Sequence, residues 1–123
     1  MTFHYEMIDH VQLAAPPGSE EEARSFYGGI LGFKEVEKPE FLKANGGVWF
    51  QDGAINIHIG IETPFVPAKK AHPAILVNNI DKLKEHLTKM RVDFTVDHKL
   101  PGATRFYITD PFGNRIEFLE WEE

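Results

Sequence analysis

His10 and His58 in the first half of the chain, and His72 and Glu117 in the second, are ligand-type residues placed early and late in each half. The separations, 48 residues and 45 residues, are close enough to suggest a duplicated unit that brings two ligands from each copy. Imidazole and carboxylate suit a divalent ion, and four such groups can hold one. The 123 residues contain no cysteine, which removes thiolate ligands, a thiolate nucleophile and a disulfide framework, and disfavours a structural zinc finger.

Strand parity sharpens these candidates. In Ile55 to Glu62 a period of two puts four isoleucines on one face and Asn56, His58, Gly60 and Glu62 on the other. If the isoleucines pack beneath helices, His58 points away from that core, into solvent or a pocket. In Asn114 to Leu119, Glu117 likewise opposes the apolar Ile116 and Phe118. A carboxylate there needs a metal, a hydrogen bond or an ion pair, and Arg105 and Arg115 are the competing partners. Ile8 to Leu13 alternates so that His10 and Gln12 share a side, and Gln12 offers both a donor and an acceptor. Tyr107 shares a face with Arg105 and Thr109, and Trp49 lies opposite Val48 and Phe50, either stacking on a ligand or acting as a core or interface aromatic. His4, His86 and His98 fit no partner pattern and read as surface residues.

The elements that position these residues repeat in order. After a strand through His10, the Pro16-Pro17-Gly18 turn precedes Ser19 and Glu22, a capping box for a helix carrying Ala23, Phe26, Tyr27, Ile30 and Leu31 and ending near Gly32. Extended runs follow at 33–36, 47–51 and 54–62, the last two joined by Asp52-Gly53. The second half opens with a strand at 74–77, a cap at Asn78-Asn79, and a helix marked by Ile80, Leu83, Leu87 and Met90. Extended runs at 92–96, 105–109 and 114–120 complete it, with Asp110-Pro111-Phe112-Gly113 as a type I turn. Each half reads βαβββ. The expected organisation is one domain over 1–123, with module one at about 6–62, a Pro-containing linker at 63–70 and module two at about 71–121. Each half alone is marginal in size, so the two should share one core.

Composition limits the functions. Hydrophobic content of 42% and aromatic content of 12% are those of a folded globular chain. No apolar run approaches the roughly 20 residues that cross a bilayer, and the N-terminal sequence lacks the features of a signal peptide. Cytoplasmic location and no membrane partner are therefore expected. A formal charge of −6, with Lys69-Lys70 the only adjacent basic pair, argues against nucleic acid and for a small-molecule partner.

Together, Ile8 to Leu13, Phe26 to Phe33, His72 to Val77 and Asp110 to Phe118 make the chain resemble the vicinal oxygen chelate superfamily over nearly its whole length. That superfamily includes glyoxalase I, bleomycin-resistance proteins, extradiol dioxygenases and fosfomycin-resistance thiol transferases. The resemblance implies an α+β fold of two βαβββ modules forming a curled mixed sheet with a metal-binding cleft. It implies His10, His72 and Glu117 as metal ligands. His58, where glyoxalase I usually has a glutamate, becomes the fourth ligand or the acid/base, and Glu117 and His58 are the catalytic candidates. Gln12, Trp49, Tyr107, Arg105 and Arg115 are the expected substrate contacts, Tyr107 lying ten residues before Glu117 as a tyrosine does in fosfomycin-resistance enzymes.

The implied activity is a glyoxalase-like, metal-dependent lyase or isomerase that chelates vicinal oxygens of a small metabolite. The ion would be Ni, Co, Zn, Mn or Fe. The alternatives are a small extradiol-type dioxygenase with iron(II) and a metal-free binding or sequestration protein of the bleomycin-resistance type. A homodimer is expected, since symmetric dimers are the commonest closed assembly and the family often pairs modules across chains.

Overall fold

The computed structural model describes residues 2–123. The first βαβββ unit comprises β1 (Val11–Ala15), α1 (Glu20–Ala23), β2 (Lys34–Val36), β3 (Val48–Asp52) and β4 (Ile55–Ile61). The second comprises β5 (Ala74–Leu76), α2 (Ile80–Lys89), β6 (Thr95–Asp97), β7 (Ala103–Thr109) and β8 (Arg115–Trp121). Each unit makes one mixed four-stranded sheet, ordered β1-β4-β3-β2 and β5-β8-β7-β6, with its first strand parallel to its last. The two sheets repeat one topology and are not closed into a barrel. The expected α+β fold of two βαβββ modules is therefore what the chain forms.

Alternation explains the packing. Val48, Phe50, Ile57 and Ile59 of the first sheet and Phe106, Ile108, Ile116 and Phe118 of the second are buried in one continuous core. Ala23, Phe26 and Tyr27 join it from the first helical segment, and Ile80 and Leu87 from α2. Polar bonds also join the two units. The buried Tyr27 hydroxyl donates to Asp110 Oδ2 at 2.7 Å, and Asn114 Nδ2 donates to the Ala14 carbonyl at 2.7 Å. His86, expected to be an unengaged surface residue, is exposed but bonds through Nε2 to the Ile30 carbonyl at 2.6 Å.

Several local expectations need correction. The capping box is not formed, because the Ser19 hydroxyl donates back to the Pro16 carbonyl at 2.6 Å instead of accepting from the helix. After one α-helical turn the segment widens into a π-helical stretch, Arg24–Ile30, with Leu31 N–H reaching the Phe26 carbonyl at 2.9 Å. This stretch contains Gly28 and Gly29, whose weak helix preference makes departure from regular geometry cheap. Asn79 adopts φ 67° and makes no side-chain cap; the N–H groups of Asn79 and Ile80 are satisfied by Glu120 Oε2 and Oε1, each at 2.9 Å. Glu40–Asn45, between β2 and β3, forms a 3-10 helix that lies outside the repeated βαβββ pattern. β1 starts at Val11, so His10 precedes the strand rather than lying within it.

Candidate functional site

One row of cross-strand neighbours carries chemistry in each sheet. In the first it runs Gln12, His58, Trp49, Val36, and in the second Ala74, Glu117, Tyr107, Thr95. His58 and Glu117 therefore occupy equivalent positions on the last strand of each unit, and Trp49 and Tyr107 are equivalent neighbours. His10 and His72 each precede the first member of their row by two residues. Both rows lie on the face opposite the core-facing residues of their strands, as the period of two requires.

In the first sheet, His58 is the middle of an aromatic stack. Trp49 lies 3.8 Å from it at an interplanar angle of 3°, and His10 lies 4.1 Å away at 16°. Trp49 is thus committed to His58 on one face. Burial first, and the neighbouring His10 second, hold the His58 pKa below the usual imidazole value. A neutral ring is what a ligand or a general base needs. The Gln12 amide crowds Gly60 so closely that a Cβ there would lie 2.9 Å from Gln12 Nε2. Gln12 and Trp49 line a cavity of about 430 Å³ together with Lys38 and Asn45, two residues that sequence reasoning did not select.

In the second sheet, His72 Nε2 and Glu117 Oε1 are 2.9 Å apart, and Glu117 is buried at 5% exposure. The other carboxylate oxygen accepts from Arg105 Nη1 at 3.4 Å, so the competing ion-pair reading of Glu117 holds alongside the histidine contact. Arg105 is fixed from its far side by Asp97 Oδ1 at 3.2 Å. The Asp97 carboxyl is held below the usual range, chiefly by the Lys99 backbone N–H and further by Arg105. Tyr107 meets the His72 ring edge-on at 5.3 Å and carries the Arg115 guanidinium 4.0 Å above its ring.

The two leading histidines share a further feature. His10 Nδ1 lies 2.9 Å from Asp9 Oδ2, and His72 Nδ1 lies 2.7 Å from the Lys70 carbonyl. Both partners are acceptors, so Nδ1 donates in each case and the ring orientation is set by that bond. Strand parity would put Asp9 on the side opposite His10, but both precede β1, and adjacency in the chain brings them together.

The four expected ligands thus form two pairs, His10 with His58 and His72 with Glu117. Among the described residues, no cluster of three or more His, Asp or Glu side chains is arranged to hold a metal ion. No helix among them is long and apolar enough to cross a membrane.

Known structures share this architecture. A structure assigned to the glyoxalase family from Bacillus anthracis is 53% identical, with a TM-score of 0.96 over 99% of this chain and 100% of that one. Lactoylglutathione lyase from Agrobacterium tumefaciens is 21% identical, with a TM-score of 0.74 over 94% of each chain. A genomically encoded fosfomycin resistance protein from Listeria monocytogenes is 14% identical, with a TM-score of 0.74 over 95% of this chain and 94% of that one. The last two likenesses speak to the fold alone. No curated protein matches. The family model described as the Glyoxalase/Bleomycin resistance protein/Dioxygenase superfamily matches residues 7–118, spanning both repeated units and both ligand pairs, and the chain belongs to that superfamily.

Proposed function

We propose that this protein is a glyoxalase-like, metal-dependent lyase or isomerase that chelates vicinal oxygens of a small metabolite at a site completed by a second copy of the chain. The observation that carries the reading is the paired orientation of His10 and His72. Each commits Nδ1 to an acceptor, the usual arrangement around a metal-bound imidazole, and His72 turns its Nε2 to Glu117 Oε1, the other candidate ligand of its pair, at 2.9 Å. His58 and Glu117 stand beside them at equivalent strand positions.

The donor chemistry fits a divalent ion, with His10, His58, His72 and Glu117 as the residues to hold it, but one chain offers only two halves of a site. Both halves lie on faces turned away from the shared core, so a symmetric dimer is the economical way to join a first-unit half to a second-unit half. Leu76 and Trp121, on the ligand side of the second sheet, are 62% and 53% exposed and supply apolar surface for such contact. A bound ion supplies Lewis acidity to the oxygens of the substrate. The chain's own residues then orient and exchange protons. Arg105, tied to Asp97, keeps the Glu117 carboxylate in place, and neutral His58 is the acid/base candidate or fourth ligand. Gln12 and Trp49 on one side and Tyr107, Arg105 and Arg115 on the other contact the substrate.

Metal analysis of protein purified without a histidine tag, comparing wild type with His72→Ala and Glu117→Gln, tests the reading. The expected result is one divalent ion per chain in the wild type and a loss of at least tenfold in affinity in each variant, since losing even a hydrogen-bonding partner of a ligand costs about tenfold or more. Equal, substoichiometric metal in all three overturns it. Turnover of a hemithioacetal by the loaded protein supports the lyase or isomerase reaction, whereas oxygen uptake with a catechol and iron(II) reassigns the same site to a dioxygenase.

A further inference from the structure

We propose that Arg115 and Lys69 form a subsite for the carboxylate of a small organic acid, beside the His72–Glu117 pair. This names the substrate class for the site proposed above and rests on that reading only for what the neighbouring pair does.

The net charge of −6 leaves carboxylates in excess, and two of the four arginines are paired with them. Arg24 meets Glu21 and Glu35, and Arg105 meets Asp97 and Glu117. Among the described residues, Arg115 and Lys69 have no carboxylate oxygen within 4.0 Å. Arg115 is nevertheless held in place. Its guanidinium lies 4.0 Å over the Tyr107 ring, and Nη1 reaches the Lys69 carbonyl at 3.5 Å. The ring contact and the Lys69 bond fix the guanidinium and leave its remaining N–H groups for the fork geometry that matches a carboxylate.

Both cations line one cavity of about 470 Å³, a small-molecule volume, which Tyr107, Thr95 and Thr109 supply with hydroxyl groups. Asp93 also lines it, so the wall carries a net single positive charge. That balance suits a monoanion and disfavours a dianionic phosphate monoester. Tyr107 links the cavity to the ligand pair through its edge contact with His72. A small acid bound through its carboxylate at Arg115 would present oxygens on neighbouring carbons toward His72 and Glu117.

The test uses full-length, chelator-treated protein, so it does not depend on metal. In nitrogen–proton NMR spectra, lactate should shift the Thr95, Thr109 and Gly113 amides saturably, while the neutral isostere lactamide should leave them unmoved. Arg115→Gln should weaken lactate binding about tenfold, as loss of a charge-assisted bidentate contact does. Lys69→Gln should weaken it less, and Arg24→Gln, a paired arginine elsewhere, should not change it. The amide spectrum of each variant reports whether it is folded, and Arg115→Lys, which keeps the charge without the fork, should bind with intermediate affinity. Equal responses to lactate and lactamide, no saturable response to lactate, or unchanged binding by a folded Arg115→Gln variant would overturn the subsite. The metal assay fails or succeeds independently, so the two readings separate.

Discussion

Glu117 is buried with a histidine on one oxygen and an arginine on the other. On the other half, Trp49 lies flat against His58. In a Trp121→Phe background, metal addition should change the emission of Trp49, and His58→Ala should remove the change; emission indifferent to metal would count against His58 as a ligand. Much of this scale was legible in the chain. The side on which His58 and Glu117 stand follows from a two-residue period, which needs no tertiary information. The ring orientation of His72 was not legible, because it depends on a loop carbonyl at Lys70.

At the scale of elements, the register around β4 rests on one glycine. Gly47 has φ 89°, and a Cβ there would lie 2.2 Å from the Ile59 carbonyl oxygen, at the end of the β3–β4 pairing that sets Trp49 against His58. Gly47→Ala should cost at least about 2 kcal/mol in urea unfolding, since both the backbone conformation and the close approach are lost. α2 depends on a residue far along the chain. The Ile80 N–H first, and the Asn79 N–H second, lower the pKa of Glu120 below its ordinary 4.5. A carboxylate with a depressed folded pKa contributes stability that is present above 4.5 and lost as pH falls through the folded value. Glu120→Gln should lower Tm by a few degrees at neutral pH and flatten the loss of stability on acidification; a wild-type pH profile in the variant would contradict the assignment. The sequence pattern located α2 but named the wrong cap. Asn79 has the right residue type, while the capping carboxylate arrives from β8, 40 residues beyond Ile80.

For the whole molecule, the union of the two units is the decisive feature, and it was the least legible. Equal element order could be read from hydrophobic periodicity, but the mutual placement of the sheets is set by contacts such as Tyr27 with Asp110, 83 residues apart. Burial, the Asp110 charge and their hydrogen bond together push the Tyr27 hydroxyl pKa far above its usual value, so it remains a donor. Tyr27→Phe should cost about 1.5–3 kcal/mol, the range for a buried bond to a charged acceptor, measured by denaturant unfolding. Light scattering at micromolar concentration should return the mass of a homodimer, and a monomer would refute the shared-site reading. On the proposed shared-site dimer, inheritance of a defect becomes a matter of pairing. A chain altered at His10 and His58 and a chain altered at His72 and Glu117 are each expected to be inactive alone. Unfolded together in equal amounts and refolded, they should rescue one another, because half of the random pairs are mixed and each mixed pair holds one undamaged site of its two, about a quarter of all sites.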